Sequence, residues 1–577
     1  MEHIRFYQDR IDTLTRQIRS RKTRNRSFVA GEIVTFIAFI GFIVLYTVRP
    51  DSLWPLGLSA LSLAAYFFVR HMDIKNSKAT EWLKDLRSVN EHEMQYLRGD
   101  FSPFDDGTRY VNPHHPFSFD LDIFGTGSLY QRINRSVTTG GSDLLAEWLQ
   151  SVEYHADTEA TQFMSEQHLW REAFMAVGQR GKIDTGAIWK ALETVRNMPL
   201  PQVLAGRGTL IMAWAAIIGL LTTIALAVTG IVSAQLPIWW GVLQFFTVYL
   251  ACMKNIRLTS RAVSTLHGPL KRCMQLITVI DKQYNDHWTD DALASFRQLE
   301  RILNDLDRRG NVLGMITFNI FMLSDLFIIR KFLRWQRHYV KEMDFWLSMV
   351  SVFDAQVGMA TFRYNEPETV YAEVTSDDES VTVEARGMWH PFLGTKAVKN
   401  DFDINDRNFY IITGANMAGK STFLRTLGIN YVLAMNGLPV FAKHLRVSRF
   451  HLFTSMRTTD DLNHGISYFN AELLRLRQLI DSLDNRPTLI ILDEILKGTN
   501  SLDKLNGSRM FLEWIAQRNV TGVIATHDLE LSKMEGEQFH NFCFEIALGE
   551  DVTYSYKLTP GVARNQNATF LLRKILS

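Results

Sequence analysis

The sequence predicts an α plus α/β fold. Mostly helical N-terminal and middle regions carry two transmembrane helical hairpins, and a C-terminal P-loop NTPase domain is α/β. Three observations predict it. Pairs of long apolar runs occupy 28–70 and 208–253. A β-branched and aromatic run at Phe409–Ile412 meets a glycine-rich turn and then a helix-like pattern. A later apolar run, Thr488–Leu492, ends in two adjacent carboxylates, as a buried parallel strand of such a domain does.

The composition leaves the class of partner open. The chain has 577 residues, enough for at least three units that each bury a core. Lys plus Arg (62) balances Asp plus Glu (61), so the overall charge gives no argument for a polyanion such as nucleic acid. Cys252, Cys273 and Cys543 stand apart, and His114 and His115 lack a carboxylate or cysteine partner at ligand spacing. These patterns argue against a zinc site and a disulfide framework, and they suit a reducing cytosol.

The first hairpin is predicted at 28–70, after a basic cytoplasmic helix at 1–27. Phe28–Val48 is apolar apart from Glu32, and Leu53–Val69 is uncharged. A pair of buried core helices is the alternative, but neither run has a polar face to show to water. A cleaved signal peptide does not fit, because the first run is too long and leads straight into the second. Basic flanks on both sides place both ends in the cytoplasm.

The second hairpin is predicted at 208–253, after a soluble helical segment at 71–207. This hairpin run contains no charged side chain, and a turn is expected near Ser233–Pro237. Lys254, Arg257 and Arg261 follow at once, so the chain returns to the basic, cytoplasmic side.

A helical region is predicted at 254–370, before a domain at 371–577. Within it, Asn311–Ile329 is nearly all apolar and resembles a fifth span. An odd number of crossings would place the phosphate loop outside the cell, away from ATP. We therefore predict a buried or membrane-surface helix there, and a short strand at Val381–Val383.

The glycine-rich turn matches the phosphate-loop pattern G-x-x-x-x-G-K-S/T, and its flanking strand and helix supply the context that this pattern needs. Backbone N–H groups and a helix N-terminus would hold a polyphosphate there. Lys420 would reach the β- and γ-phosphates, and Ser421 would bind Mg²⁺. An unrelated Gly-Lys-Ser turn is the alternative. The predicted nucleotide-binding residues are Gly414, Ala415, Asn416, Met417, Ala418, Gly419, Lys420, Ser421 and Thr422.

The carboxylate pair after the later strand is predicted to complete the site. Asp493 would hold the Mg²⁺ shell, and Glu494 would polarise the attacking water. The alternative is that both acids only cap the next element. The run at 520–526 predicts another strand that leads to His527, a candidate sensor of the γ-phosphate or support for the water.

Four motifs together resemble the MutS family of ATPases, best known for DNA mismatch recognition. They are T-G-A-N-M-A-G-K-S-T-F-L-R, D-D-L-x-x-G-x-S-x-F-x-x-E, L-D-E-x-x-x-G-T-x-S-x-D and A-T-H-D-L-E-L. Asn416 and Met417 inside the phosphate loop are characteristic of that family. The Gly387–Pro391 stretch and the stretches at 121–141 resemble the family's segment before the ATPase and the start of its helical core.

The resemblance implies a homodimer that uses ATP and Mg²⁺, with Ser467 of one subunit approaching the nucleotide bound by the other. It implies hydrolysis coupled to conformational change. The first 110 residues do not resemble the family's mismatch-reading domain, and too little chain is present for its DNA clamp. DNA therefore stays a possible partner without a recognisable binding region.

The sequence-based hypothesis is a membrane-anchored MutS-like ATPase in a bacterial-type inner membrane. Four spans would place the N-terminus and the ATPase domain in the cytoplasm. A transporter of the ATP-binding-cassette type is an alternative, although no L-S-G-G-Q-like stretch occurs and two separate hairpins make a poor transport pathway. A scaffold that binds nucleotide without hydrolysis is a third hypothesis, weakened by the intact pair of Asp493 and Glu494.

Overall fold

The computed structural model describes residues 2–154, 158–199, 201–263, 266–309, 312–457, 468–548 and 552–564. The helices are α1 (Glu2–Val48), α2 (Trp54–Leu97), α3 (Leu129–Ile133), α4 (Thr139–Leu149), α5 (Thr158–Glu166), α6 (His168–Gly178), α7 (Thr185–Arg196), α8 (Arg207–Val228), α9 (Gln235–Val263), α10 (His267–Tyr284), α11 (His287–Arg308), α12 (Val312–Met322), α13 (Ser324–Tyr339), α14 (Met343–Asn365), α15 (Lys420–Met435), α16 (Tyr468–Ser482) and α17 (Ser501–Ile515). The strands are β1 (Glu373–Val374), β2 (Val383–Met388), β3 (Asn400–Ile404), β4 (Phe409–Gly414), β5 (His444–Val447), β6 (His451–Ser455), β7 (Thr488–Asp493), β8 (Val520–Thr526), β9 (Phe539–Leu548) and β10 (Val552–Pro560).

The chain divides into two compact units that combine segments distant in sequence. Within the described residues, the first unit comprises Met1–Arg98, Ser136–Ser142 and His168–Ala355. The second comprises Gly99–Arg135, Asp143–Gln167 and Gln356–Ser577. The first unit is helical, and the second holds both β-sheets. The mostly helical N-terminal and middle regions and the C-terminal α/β domain of the predicted fold are confirmed.

Helices α1 and α2 of the first unit form an antiparallel pair. The Asn76 side chain donates to the Arg21 carbonyl oxygen (3.1 Å), and the Ser59 hydroxyl donates to the Phe39 carbonyl oxygen (3.4 Å). The short connection between the two apolar runs of the predicted hairpin, at 49–52, lies between the two helices. The predicted boundary between a basic helix and a first span at 27/28 lies inside α1, because helical sequence continues without a break through that point.

Four described helices are long and apolar enough to cross a membrane, judged by length and composition alone. They are α1, α8, α9 and α14. No part of the apolar window in α1 is buried, and little of it is buried in α8 or α9, whereas 67% of the α14 window is buried. The predicted span Leu53–Val69 is not among them. Helix α2 continues past this span, but its uncharged part, Trp54–Val69, has only 16 residues before Arg70. That part is about 24 Å long, which is shorter than the roughly 30 Å of a bilayer core.

The predicted single helix at Asn311–Ile329 is wrong. Helices α12 and α13 occupy its described part and are bent by 83° at Leu323, which has a positive φ of 50°. Leucine gives no local signal for such a backbone, so an apolar run with no proline or glycine at that point reads as continuous. Just after the bend, the N–H group and the carboxylate of Asp325 bind Asn319 and Arg309, which precede it.

The second unit contains a six-stranded sheet in the order β10-β9-β4-β8-β7-β6, in which only β10 is antiparallel to its neighbour. β4, β7 and β8 are almost wholly buried, which explains their continuous apolar sequences. Because they are parallel, their carboxyl ends share one edge of the sheet, with Asp493 beside Ala525 and Thr413 beside Thr526. The strands predicted to lead to the phosphate loop, to Asp493 and to His527 are confirmed.

A smaller sheet in the order β1-β5-β2-β3 lies in the same unit. The strand predicted at Val381–Val383 instead runs from Val383 to Met388. Buried and exposed side chains alternate along β2. This strand pattern becomes visible in the sequence only when all six residues are considered together.

Candidate functional site

The phosphate loop connects β4 to α15 at the carboxyl edge of the larger sheet. Gly419 is the N-cap of α15 with a φ of 107°, a left-handed conformation that glycine adopts without strain. Met417 also has a positive φ (66°), and 76% of the residue is exposed. The loop thereby turns sharply enough to direct the first N–H groups of α15 outward, where they can bind an anion.

Lys420 lies buried beneath this loop. Its Nζ donates to the carbonyl oxygens of Gly414 (2.8 Å) and Ala415 (3.0 Å). Burial lowers the pKa of Lys420 to about 8, although the negative charges of Asp493 and Glu494 act in the opposite direction. The ammonium is thus held on the loop by two carbonyl groups that a phosphate oxygen can replace.

Asp493 and Glu494 lie where β7 ends. The Glu494 N–H donates to the Ala525 carbonyl oxygen (2.9 Å), and Glu494 has a positive φ of 63°. Such a backbone is uncommon for a residue with a side chain and is found most often at functional sites. Burial would raise the pKa of Glu494, but the charges of Lys504 and His527 outweigh burial and lower it. Glu494 is therefore ionised at neutral pH.

His527 stands between the loop lysine and this glutamate. Its Nδ1 is 3.3 Å from Lys420 Nζ and 3.1 Å from the Gly414 carbonyl oxygen, while Nε2 is 3.4 Å from Glu494 Oε1. Burial and the positive charge of Lys420 lower the pKa of His527, against the attraction of Glu494. The ring is neutral at neutral pH, so one nitrogen can donate and the other can accept a hydrogen bond.

These groups line one cavity of about 700 Å³. The structure brings together nearly all of the predicted site residues on its wall: Asn416, Met417, Ala418, Gly419, Lys420, Ser421, Thr422, Asp493, Glu494 and His527. Gly414 and Ala415 contribute the carbonyl groups that bind the lysine. Ser467 falls within 458–467, outside the described residues.

The donor set of this cavity suits Mg²⁺ bound together with a phosphorylated ligand. Ser421 supplies a hydroxyl group and Asp493 a carboxylate on the same wall. Mg²⁺ usually takes one or two protein ligands and completes its shell with phosphate oxygens and water. Among the described residues there is no group of three His, Cys, Asp or Glu side chains that would hold a metal ion without such a ligand.

Several residues that the sequence did not single out support the site. Lys504 Nζ is 3.2 Å from Glu494 Oε2. Glu472, which is 6% exposed, accepts hydrogen bonds from the backbone N–H groups of Lys497 and Gly498 (both 3.0 Å) and so fixes the loop after β7. Glu472 is the last residue of the motif D-D-L-x-x-G-x-S-x-F-x-x-E. The motif marked the residue as functional, but it did not predict this contact.

Two aromatic residues also contribute to the cavity wall. The Tyr556 ring lies so close to the loop that a Cβ on Gly419 would be 3.1 Å from its Cδ1. His390 is buried, accepts a hydrogen bond at Nδ1 from the Phe392 N–H (3.2 Å), and has its pKa lowered to about 4 by burial. His390 lies in the Gly387–Pro391 stretch noted in the sequence, whereas Tyr556 reaches the cavity from β10 and has no local signal.

A segment 300 residues upstream in sequence contacts the same domain. Asp122 pairs with Arg425 of α15 (3.1 Å) and with Arg457 (2.6 Å). Asp120 accepts from the Thr454 hydroxyl (2.8 Å) and lies 3.6 Å from Arg475. The stretch at 121–125 is thereby part of the unit that contains the cavity.

Comparison with known proteins finds similarity for the region that holds the cavity. Residues 410–570 match the family model described as MutS domain V. The DNA mismatch repair protein MutS of Caldanaerobacter subterraneus subsp. tengcongensis is 31% identical over 226 residues, which is 37% of this chain and 25% of that protein. The protein of the same name from Acetivibrio thermocellus is 33% identical over 33% of this chain and 23% of its own length.

Human MutS protein homolog 4 is 28% identical over 202 residues, or 32% of this chain and 21% of that protein. The chain thus spans about a quarter of the length of the curated relatives it matches. The matched region contains the phosphate loop, Asp493, Glu494 and His527. Residues 410–570 are thus similar to MutS domain V, a P-loop ATPase domain.

Proposed function

We propose that this chain is a membrane-anchored, Mg²⁺-dependent ATPase in which ATP binding and hydrolysis change the conformation of a homodimer. The observation that carries the proposal is the meeting of Lys420, Ser421, Asp493, Glu494 and His527 on the wall of one cavity. That cavity is within the size range of nucleotide and small-molecule sites.

The binding step begins at the phosphate loop. Lys420 leaves the carbonyl oxygens of Gly414 and Ala415 and donates instead to the β- and γ-phosphates of ATP. Ser421 and Asp493 would hold Mg²⁺, which would supply charge neutralisation for the phosphate oxygens. The N-terminus of α15 adds N–H donors and a partial positive charge.

The hydrolytic step depends on Glu494. As an ionised carboxylate at the cavity wall it accepts a hydrogen bond from the attacking water and orients it toward the γ-phosphate. Neutral His527 lies between this carboxylate and Lys420. When the γ-phosphate displaces Lys420, the change in hydrogen bonding at His527 can alter the orientation of Glu494. Lys504 fixes the carboxylate from the opposite side.

A second subunit is proposed to complete each site, with Ser467 approaching the nucleotide in trans. Met417 supports the proposal, because a large apolar side chain with 76% exposure at the cavity wall suits contact with a protein surface. Hydrolysis then acts on the dimer through closing and opening of this contact.

Membrane anchoring is supported by the exposed apolar surfaces of α1, α8 and α9. Val34, Ile37, Ile211, Met212 and Leu243 are each more than 60% exposed. Glu32, the charged residue of the first apolar run, pairs with Arg70 of α2 (3.3 Å) near the end of the hairpin that is predicted to be cytoplasmic. These surfaces favour lipid over water.

DNA binding is a second candidate function, favoured only by the relatives, which are named as DNA mismatch repair proteins. The family model matches residues 410–570, which contain the proposed ATP site. The transporter and scaffold hypotheses have no specific observation in their favour.

The decisive experiment measures ATP turnover of the detergent-purified chain and of its Glu494→Gln variant. We expect Mg²⁺-dependent turnover that falls at least about a hundredfold in the variant, while ATP binding persists. Equal rates in both proteins would remove the assigned role of Glu494.

Turnover is then compared without DNA, with perfect duplex and with mismatched duplex at low salt, where phosphate contacts are strongest. Stimulation by mismatched duplex would support a repair role, and indifference to every DNA would exclude it. Release of the chain from membranes by carbonate would contradict the anchor.

A further inference from the structure

We propose that α12 is a re-entrant membrane element. It enters the bilayer beside α8 and α9, the chain bends by 83° at Leu323, and α13 leads back to the membrane surface from which α12 entered. The inference rests on the proposed membrane anchoring by α8 and α9, and it assigns a lipid-facing role to a third segment of the first unit.

The surface of α12 is the first argument. The helix contains no charged residue, and its large apolar side chains are mostly exposed. They are Val312 (63%), Leu313 (77%), Phe318 (55%), Phe321 (46%) and Met322 (60%). Eleven residues span about 16 Å, roughly half of a bilayer core of about 30 Å, so α12 enters the hydrocarbon without crossing it.

The contact between α12 and α9 places this surface at membrane depth. Gln244 Nε2 donates to the Ile320 carbonyl oxygen (2.9 Å), and Trp240 Nε1 donates to Gln244 Oε1 (3.2 Å). A Cβ on Gly241 would be 3.2 Å from Ile320 Cγ2, so the helices approach closely at this glycine. Gln244 lies within the uncharged run of the second hairpin.

The exposed apolar side chains of α12 therefore continue the exposed apolar surface of the hairpin, which includes Leu243 (69%) and Leu250 (76%). This surface is continuous with the lipid-facing helices and has no charged side chains. We therefore assign the acyl chains of the bilayer as its contact.

The backbone at the bend satisfies the condition that lipid imposes on non-helical chain. Asn319 is fully buried, and its Oδ1 accepts hydrogen bonds from the Asp325 N–H (2.9 Å) and the Ser324 hydroxyl (3.0 Å). The N-terminus of α13 is thus capped from within the protein. Broken helices persist at membrane depth only where such partners bind the freed groups.

Charged contacts mark the path by which α13 returns to the surface. Arg309 Nε donates to Asp325 at 2.8 and 3.0 Å, and Asp325 is fully buried. Arg330 of α13 donates to the carbonyl oxygen of Gly206 (2.6 Å), the residue before α8 begins. The start of α13 is therefore joined to the end of α11, and its middle is joined to the entrance of the hairpin. Lys331, Arg334 and Arg337 follow, as suits the cytoplasmic interface.

The test uses nitroxide-labelled single cysteines in the full-length chain, reconstituted in liposomes of phosphatidylethanolamine and phosphatidylglycerol. Phe318→Cys reports on α12, Leu243→Cys on the hairpin and Met510→Cys (69% exposed) on the ATPase domain. The parent chain is the labelling blank, since Cys252, Cys273 and Cys543 are all buried. Retained ATP turnover confirms that each variant is folded.

We expect the probes at 318 and 243 to collide with oxygen in preference to a water-soluble nickel complex, and the probe at 510 to show the reverse. The re-entrant assignment would be overturned if the probe at 318 collides preferentially with nickel, or with neither reagent. In that case a probe at 243 that still prefers oxygen would leave the proposed anchor intact. A water-exposed 243 would instead overturn the proposed anchor itself.

Sidedness separates a re-entrant element from a crossing. Asp307→Cys precedes α12 and Lys341→Cys follows α13, and both positions are exposed. In sealed vesicles an impermeant maleimide should label both from the side on which Met510→Cys is labelled. Labelling of Lys341→Cys from the opposite side would show a crossing and contradict the proposal.

Discussion

Lys504 Nζ and Glu494 Oε2 lie 3.2 Å apart, and only 20% and 14% of the two side chains are exposed. Glu494 Oε1 meanwhile faces His527 Nε2 at 3.4 Å. Both carboxylate oxygens therefore have a partner on the protein, and the carboxylate is held in one orientation beside the phosphate loop. Lys504 is thus a positioning residue for Glu494 in the proposed ATPase reaction.

The variant Lys504→Gln tests this relationship. Because the charge of Lys504 helps to lower the pKa of Glu494, its removal raises that pKa. A Glu494 carboxylate with a raised pKa becomes protonated, and so stops acting on the water, at a higher pH. The acidic limb of the turnover profile should therefore move to higher pH, with turnover falling about tenfold per pH unit below the new midpoint.

The matched control is Lys533→Gln, which removes an ammonium from an exposed pair with Glu530. Its profile should coincide with that of the parent. Coincident profiles for Lys504→Gln and the parent would show that Lys504 does not act on Glu494.

ATP affinity should depend on the protonation of Lys420. Burial lowers the pKa of Lys420 to about 8, and phosphate binds the protonated form. Below this pKa the lysine is already charged and affinity is constant. Above it each binding event must take up a proton, so Kd should rise about tenfold per pH unit.

Titration of the Glu494→Gln variant with ATP, followed by calorimetry in buffers of different ionisation enthalpy, measures both the Kd and the proton uptake. Lys420→Arg keeps its charge throughout this range and should bind with a Kd that is independent of pH. Because the charge of Glu494 raises the pKa of Lys420, the Glu494→Gln background lowers that pKa further. A Kd that stays constant above pH 8 in that background would contradict the lowered pKa.

Glu472 should stabilise the loop that follows β7. Glu472→Ala leaves the N–H groups of Lys497 and Gly498 without their acceptor in a buried place, at a cost of about 1–3 kcal/mol in the free energy of unfolding. Glu472→Gln keeps one acceptor oxygen and should lose less. Denaturant unfolding measures both, and equal losses in the two variants would show that packing, not hydrogen bonding, matters here.

The sequence was sufficient for the parts of the site that depend on local signals. The phosphate loop, the strand that ends at Asp493 and the strand before His527 each have a pattern of neighbouring residues that determines its conformation. Lys504 could not be predicted as a partner of Glu494. The chain that connects the two residues turns through positive φ values at Glu494 and Leu496, and local sequence does not predict this turn.

Long-range contacts set the same limit on the fold. At the bend, Asp325 binds Asn319 and also Arg309, which is 16 residues earlier, and no local motif predicts that pairing. The stretch around Asp122 joins the unit that contains the cavity through arginines about 300 residues away. Such pairings arise from tertiary packing, which local propensity does not report.

Asp122 should hold Arg425 and Arg457 together by charge. Asp122 has a positive φ of 53°, which asparagine tolerates nearly as well as aspartate, so Asp122→Asn removes the charge and retains the backbone. The two guanidinium groups then repel each other without a shared carboxylate. Because the three side chains are about one-quarter to one-third exposed, we expect a loss of only about 1 kcal/mol in the free energy of unfolding.

Salt distinguishes this electrostatic origin from a packing effect. The difference between the parent and Asp122→Asn should shrink between about 0.05 M and about 1 M NaCl, because the Debye length falls to about 3 Å. Asp143→Asn is a matched control, since Asp143 pairs with a single arginine, Arg109, in a more exposed place. A difference for Asp122→Asn that is unchanged by salt would show that the carboxylate acts through hydrogen-bond geometry and not through charge.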